Sequence, residues 1–234
     1  MAKAERPWLV TPHTPLQQLD DNLWEVSSQV PGISAKRRMS IVRLSDGALI
    51  FYHAIPLDDA TLATVLALGT PRALVIGYHS HGVDAAAFAD KLKIGIYGPS
   101  LNEGKMRARW PQYAGTLEAL PKDAASAFEM LDGTKLGDPV QVVRSKGGVS
   151  LVFCDALIAN DDSETPFLSR LIGFGGGPRC APFFTLFLMN DRKKLRAHLE
   201  RLADLPGLVR LVPCHGRLIT DDASGVLRRV AGTL

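Results

Sequence analysis

The sequence predicts a mixed α/β (α+β) protein in which two β-sheets pack face to face with helices outside them. Three observations carry this expectation. Two glycine hairpins, Ser45-Asp46-Gly47 and Lys146-Gly147-Gly148, each join two apolar segments and are each followed by helical and strand-like stretches. The repeated order suggests an internal duplication of elements, with no residue-level repeat to accompany it. Segments such as Ala73–Ile76 and Leu208–Val212 are unbroken apolar runs, the pattern of strands covered on both faces. Hydrophobic residues make up 46% of the 234 and charged residues 22%, which is enough for a substantial core. No linker composition interrupts the chain, so one domain over residues 1–234 is expected.

Residues 1–20 are expected to form an extended arm, its first part held out of regular structure by Pro7, Pro12 and Pro15. Asn22–Val26 alternates apolar and polar residues and reads as a first strand. Met39–Leu44 and Ala48–His53 are the strands of the first hairpin. Asp58 caps a helix with Leu62, Val65 and Leu66 on one face, and Gly69 stops it. The strand Ala73–Ile76 leads into Gly77–Asp84, after which Asp84 caps a short helix through Phe88 and Lys93–Tyr97 forms another strand. Periodicity weakens from Gly98 to Leu120, and Ala124–Leu131 reads as a short helix. Val140–Ser145 and Val149–Cys154 make the second hairpin. Ser163-Glu164-Thr165-Pro166 opens a helix that Gly173 closes. A glycine loop and the apolar Phe183–Met189 come next, then a longer helix starting at Asn190 or Asp191 with Leu195, Leu199 and Leu202 aligned. After the strand Leu208–Val212, Thr220, Asp221 and Asp222 cap a terminal helix.

The formal net charge is +3, without the dense Lys/Arg clustering that binding a phosphate backbone demands, so no nucleic-acid partner is expected. Neither a secretory apolar region nor a bilayer-spanning stretch stands out, which makes a cytoplasmic protein with no membrane partner the expectation. Cys154, Cys180 and Cys214 are odd in number and lack Cys-x-x-Cys spacing, as expected of reduced thiols. Strand alternation turns Cys154 and Cys214 away from the faces of their neighbours Asp155 and His215, and Cys180 is the more plausible reactive thiol. The glycines of 173–177 follow a helix rather than a strand, and no Gly-x-Ser-x-Gly elbow or Walker loop is present.

Chemistry-bearing residues gather at three strand ends. His79, His81 and Asp84 follow Ala73–Ile76; in an extended backbone His79 and His81 would face one side and could share an ion. Asp155 follows the strand ending at Cys154, and His215 follows Leu211-Val212-Pro213-Cys214. Each also has a local use, as a helix cap or a turn hydrogen bond. Together, imidazoles and a carboxylate at strand ends are the inventory of a catalytic zinc or iron site. His53 can enter the same cleft or sit in the core, and Lys105, Arg107 and Arg109 can either bind an anionic substrate or form a solvated loop.

His-x-His after a strand, then an apolar strand ending in Asp155-Ala156-Leu157, then a last strand ending in His215-Gly216 resembles the metallo-β-lactamase fold superfamily over about residues 20–230. The resemblance implies a four-layer αββα sandwich with its site at one edge of the two sheets. It implies one divalent ion (zinc, iron or manganese) held by His79, His81, Asp155 and His215, with Asp84 assisting as ligand or base, and a small-molecule substrate. The chain departs from the motif His-x-His-x-Asp-His, carrying Val83 where the motif has Asp and Asp84 where it closes with His. The later histidine is also missing from Gln141–Gly148. The function implied is a metal-dependent hydrolase with an altered or partly lost metal site; the alternative is a binding or scaffold protein that keeps the fold without the metal.

Overall fold

Strand alternation sorts the apolar side chains of this chain into three layers, which the computed structural model shows for residues 7–29, 36–160 and 175–234. The first sheet runs in chain order: β1 (Gln17–Asp20), β2 (Leu23–Gln29), β3 (Lys36–Arg43), β4 (Ala48–Tyr52), β5 (Thr70–Val75), β6 (Gly95–Gly98) and β7 (Tyr113–Thr116). It is antiparallel as far as β4 and parallel from there on. Parallel neighbours need crossovers. Helices α1 (Asp59–Leu68), α2 (Ala85–Leu92) and α3 (Glu103–Arg109) provide them. The second sheet contains β8 (Ser126–Met130), β9 (Pro139–Ser145), β10 (Gly148–Asn160), β11 (Gly177–Arg179) and β12 (Leu208–Gly216), and α4 (Arg192–Ala203) and α5 (Ala223–Gly232) belong to this half. β10 is its hub, antiparallel to β9 and β11 and parallel to β12.

The first layer packs Met39, Ile41, Leu49, Phe51 and Leu74 of the first sheet against Leu62, Val65, Phe88 and Met106 of its helices. In the middle layer, the alternate residues Val42, Ile50, Tyr52 and Val75 meet Val143, Val152, Cys154 and Val212 of the second sheet. The third sets Val140, Val142, Leu151, Phe153 and Leu211 against Leu195, Leu199, Leu202, Leu227 and Val230 of α4 and α5. Helix, sheet, sheet and helix are thus stacked in that order, as expected of the four-layer αββα sandwich.

The expected caps of α1, α4 and α5 form: Asp58, Asp191 and Asp222 accept from the amides of Thr61, Lys194 and Gly225. Two expectations are corrected. Ala124–Leu131 holds strand β8, because Ser126–Met130 pairs residue by residue with β9 and that pairing overrides the local helical preference. The stretch 98–120 contains α3 and β7, anchored by the buried Met106, Trp110 and Tyr113. The last residues of the expected arm over 1–20 pair with β2 as strand β1. The helix expected over 163–173 lies outside the described residues. Among the described residues no helix is long and apolar enough to cross a membrane.

Two glycines let the strand ends approach. A Cβ on Gly77 would lie 2.4 Å from the Cys154 sulfur, and one on Gly216 would lie 2.1 Å from the Ala159 backbone. Gly216 also has φ +94°, a conformation that other residues rarely adopt. These contacts bring the end of β5 against the middle of β10 and the end of β12 against the last residues of β10.

Candidate metal centre

Beyond Val75 the chain does not stay extended: it turns, with the His81 amide donating to the Tyr78 carbonyl. His79 and His81 therefore diverge, which corrects the expectation that they face one side. His79 Nδ1 pairs with Asn102 Oδ1 at 3.0 Å, at the start of α3. Arg109, at the end of α3, holds the turn by donating to the carbonyls of His79 and Gly82. Of the three cations considered for substrate binding, Arg109 is thus a support of the histidine loop and Arg107 pairs with Glu103 at 2.7 Å.

His81 points into the sandwich edge, where its Nε2 lies 3.1 Å from Asp155 Oδ1. His215 Nε2 approaches the same oxygen at 3.5 Å. The other Asp155 oxygen accepts from the Tyr78 hydroxyl. His215 donates Nδ1–H to the Lys36 carbonyl at 2.5 Å, which fixes its tautomer and aims Nε2 inward. Asp155 and His215 share this edge because the β10–β12 register breaks between Phe153 and Ile158, interrupting the alternation that would have turned Asp155 to the outer face. His81, Asp155 and His215 are thus brought together, and His79 is not.

Asp84 lies just before α2 without capping it. Its carboxylate pairs with Arg37 at 2.5 Å, both side chains being buried. It belongs to neither of the donor groups described below.

The expectation that the thiols of Cys154 and Cys214 turn away from the ligands is corrected: Cys154 packs in the middle layer, Cys214 is buried with its thiol donating to the Arg38 carbonyl, and both sulfurs lie near His81. Cys154 Sγ lies 3.6 Å from His81 Nδ1. Donor atoms of His53, His81 and Cys214 lie within 4.8 Å of one another, as do those of His81, Cys154 and Asp155. His53 is 4% exposed and neither of its ring nitrogens has a hydrogen-bond partner. Its ring stacks on Tyr52 and lies 5.0 Å from that of His81. The core and cleft readings of His53 therefore both describe its position. Behind the thiols, burial pushes the Asp138 carboxyl up to about 7, against the opposing pull of the Ala156 amide and the Cys154 thiol.

Burial also sets the charge states here. It holds His81 well below the usual imidazole value, aided by His53, His215 and Arg37, so this ring is neutral. Burial opposes charge on His215 as well, but Cys214 and Asp155 beside it outweigh that and raise it. Cys180 is corrected as a reactive thiol: it is buried, and desolvation pushes it up to about 12.

Beside the cluster is a cavity of about 530 Å³, lined by Lys36, Arg37, Arg38, Cys214 and Arg217 among others. Arg38 is one of the lining residues. It pairs with Glu25 at 2.9 Å and donates to the Pro213 and Gly216 carbonyls, tying β3 to β12 next to His215.

No protein-family model and no curated protein matches the sequence. Solved structures do match the fold. The DIM-1 metallo-β-lactamase exposed to ceftazidime superposes with a TM-score of 0.66 at 11% identity, over 96% of this chain and 99% of its own. A metallo-β-lactamase from Erythrobacter litoralis gives 0.61 at 14% identity, over 94% and 92%. The FIM-1 metallo-β-lactamase from Pseudomonas aeruginosa, in its mono-zinc form, gives 0.61 at 12% identity, over 96% of each chain. With its three apolar layers in that order, this chain has the metallo-β-lactamase fold.

Proposed function

We propose that the protein is a metal-dependent hydrolase acting on a small molecule, with an ion held by His81, Asp155 and His215. One observation carries the reading: two imidazole Nε2 atoms converge on one carboxylate oxygen, at 3.1 and 3.5 Å. Donors around a tetrahedral ion with bonds of about 2.0–2.1 Å are spaced by roughly 3.3 Å, close to these two distances, while His215 stands outside the groups whose donors all lie within 4.8 Å of one another. The hydrogen bond from His215 to the Lys36 carbonyl is the support that a ligating histidine ordinarily has. The unpartnered nitrogens of His53 are a second sign of fit.

When bound, the ion supplies Lewis acidity to the bond being hydrolysed. The chain's own residues do the rest. Tyr78 orients Asp155, and Lys36 orients His215 through its carbonyl. Arg109 secures the loop that carries His81. Arg37 and Arg38 are committed to Asp84 and Glu25, and Arg217 also stands on the cavity wall. A substrate with a carboxylate or phosphate group suits that balance of charge.

The test is metal analysis of protein purified without chelator. Wild type is expected to carry an ion, His81→Ala and His215→Ala to lose most of it, and His79→Ala to keep it. If wild type holds no ion and added zinc, manganese or iron leaves its melting temperature unchanged, the metal reading fails and the scaffold reading replaces it. Loss of metal in His79→Ala with retention in His215→Ala would place the site elsewhere.

A further inference from the structure

His81 is two-sided, with Nε2 toward Asp155 and Nδ1 toward the Cys154 thiol. In an inner group, the donors of His53 and Cys214 come within 4.8 Å of each other and of one His81 nitrogen. His53 is 96% buried with both nitrogens unpartnered, an arrangement that costs stability unless a ligand engages it. Its backbone, at φ +66°, is one that a non-glycine residue seldom adopts, and it keeps the ring against Tyr52 and facing His81. Cys214 lines the cavity next to the cluster, so an ion has a way in.

We infer that the inner group is a nitrogen–sulfur ligand position, in which the Cys214 thiolate, His53 and His81 hold a thiophilic divalent ion. The inference rests on the reading of this site as a metal centre and goes beyond it by naming a sulfur ligand and hence a metal class. Thiolate with two imidazoles is a donor set for zinc or cobalt(II), while magnesium and manganese prefer oxygen. Binding replaces the S–H bond of Cys214 by a sulfur–metal bond and releases the proton to solvent; no electron is transferred. Cys214 looks like the residue before a ligand, so strand-by-strand reading leaves it out of the set, while His53 is legible there only as a histidine that can enter the cleft.

The test is cobalt(II) titration of the chelator-treated full-length protein, followed by absorption. Wild type is expected to develop a thiolate-to-cobalt charge-transfer band in the near ultraviolet together with visible ligand-field bands. Cys214→Ser loses the charge-transfer band and binds cobalt roughly tenfold or more weakly. Cys154→Ser and Cys180→Ser keep the band. Circular dichroism shows whether each variant folds. Should Cys214→Ser not fold, wild-type alkylation mapped by mass spectrometry serves instead, with cobalt expected to shield Cys214 from iodoacetamide. Cobalt bound with visible bands but without the charge-transfer band, or without shielding of Cys214, overturns the sulfur ligand and leaves the metal centre standing. A band lost in Cys154→Ser and kept in Cys214→Ser overturns the assignment to Cys214. Absence of any metal binding overturns both readings together.

Discussion

At the residue scale, the most informative side chain is His53. A buried imidazole without partners is destabilising in the metal-free protein, by about 1–3 kcal/mol for a buried polar group left unmade. Leucine has a similar size and no polar atoms. His53→Leu is therefore expected to raise the stability of the metal-free protein by about 1 kcal/mol, less than the full penalty because leucine fits a positive φ less readily. The same variant should reduce the stabilisation that zinc gives to wild type, because it removes one donor of the His53, His81 and Cys214 group. Paired melting curves with and without zinc check this; a metal-free variant less stable than wild type would mean that the ring is a satisfied core residue.

At the element scale, helix α4 is fastened to strand β8 by a small polar cluster. His198 and Arg201 of the helix both reach Glu129 of the strand, and His198 also meets Asp132 at 3.0 Å. The hydrogen bond from His198 leads in lowering the Glu129 carboxyl from its ordinary 4.5 to about 2, with Arg201 adding to it against partial burial. A depressed carboxyl contributes stability that is complete above its unfolded value and is lost as pH falls toward its folded one. Glu129→Gln should thus destabilise the protein at neutral pH, by at most about 1 kcal/mol given its solvent exposure. The gap between variant and wild type should close as pH falls from about 4.5 to 2. Denaturant midpoints across that range measure it; a gap that stays constant would show that the carboxylate charge contributes nothing.

At the scale of the whole molecule, Arg38 joins the two sheets. Its guanidinium is buried, pairs with Glu25 on the first sheet and donates to two carbonyls of β12 on the second. Removing one partner of a buried pair leaves the other uncompensated, at a cost of about 3–5 kcal/mol. Arg38→Met should lower global stability by that amount in urea unfolding with an unchanged slope. It should also reduce metal occupancy, since the β12 end that it ties down carries His215. Full occupancy in a destabilised Arg38→Met protein would show that the position of His215 does not depend on the clamp.

The sequence by itself determined the layers and the addresses of most of the site. Alternation in Leu49–Tyr52 and Leu151–Cys154 assigned side chains to opposite faces, and turn and cap chemistry at Asp46-Gly47, Asp58 and Asp191 set the element ends, because these are local effects. Asp155 and His215 were legible for the same reason, as polar groups directly after apolar strands. Only the tertiary structure decided who meets whom. Strand β8 exists because the edge of β9 offers it hydrogen bonds, which outweigh the helix expected over 124–131. His79 leaves the site because a turn follows Tyr78 and Asn102 stands ready on another element. Asp84 is taken by Arg37, 47 residues away in sequence. His53 after β4, Cys154 within β10 and Cys214 near the end of β12 join the site because the packing of the two sheets sets them beside His81. That meeting is a long-range property that no stretch of local sequence encodes.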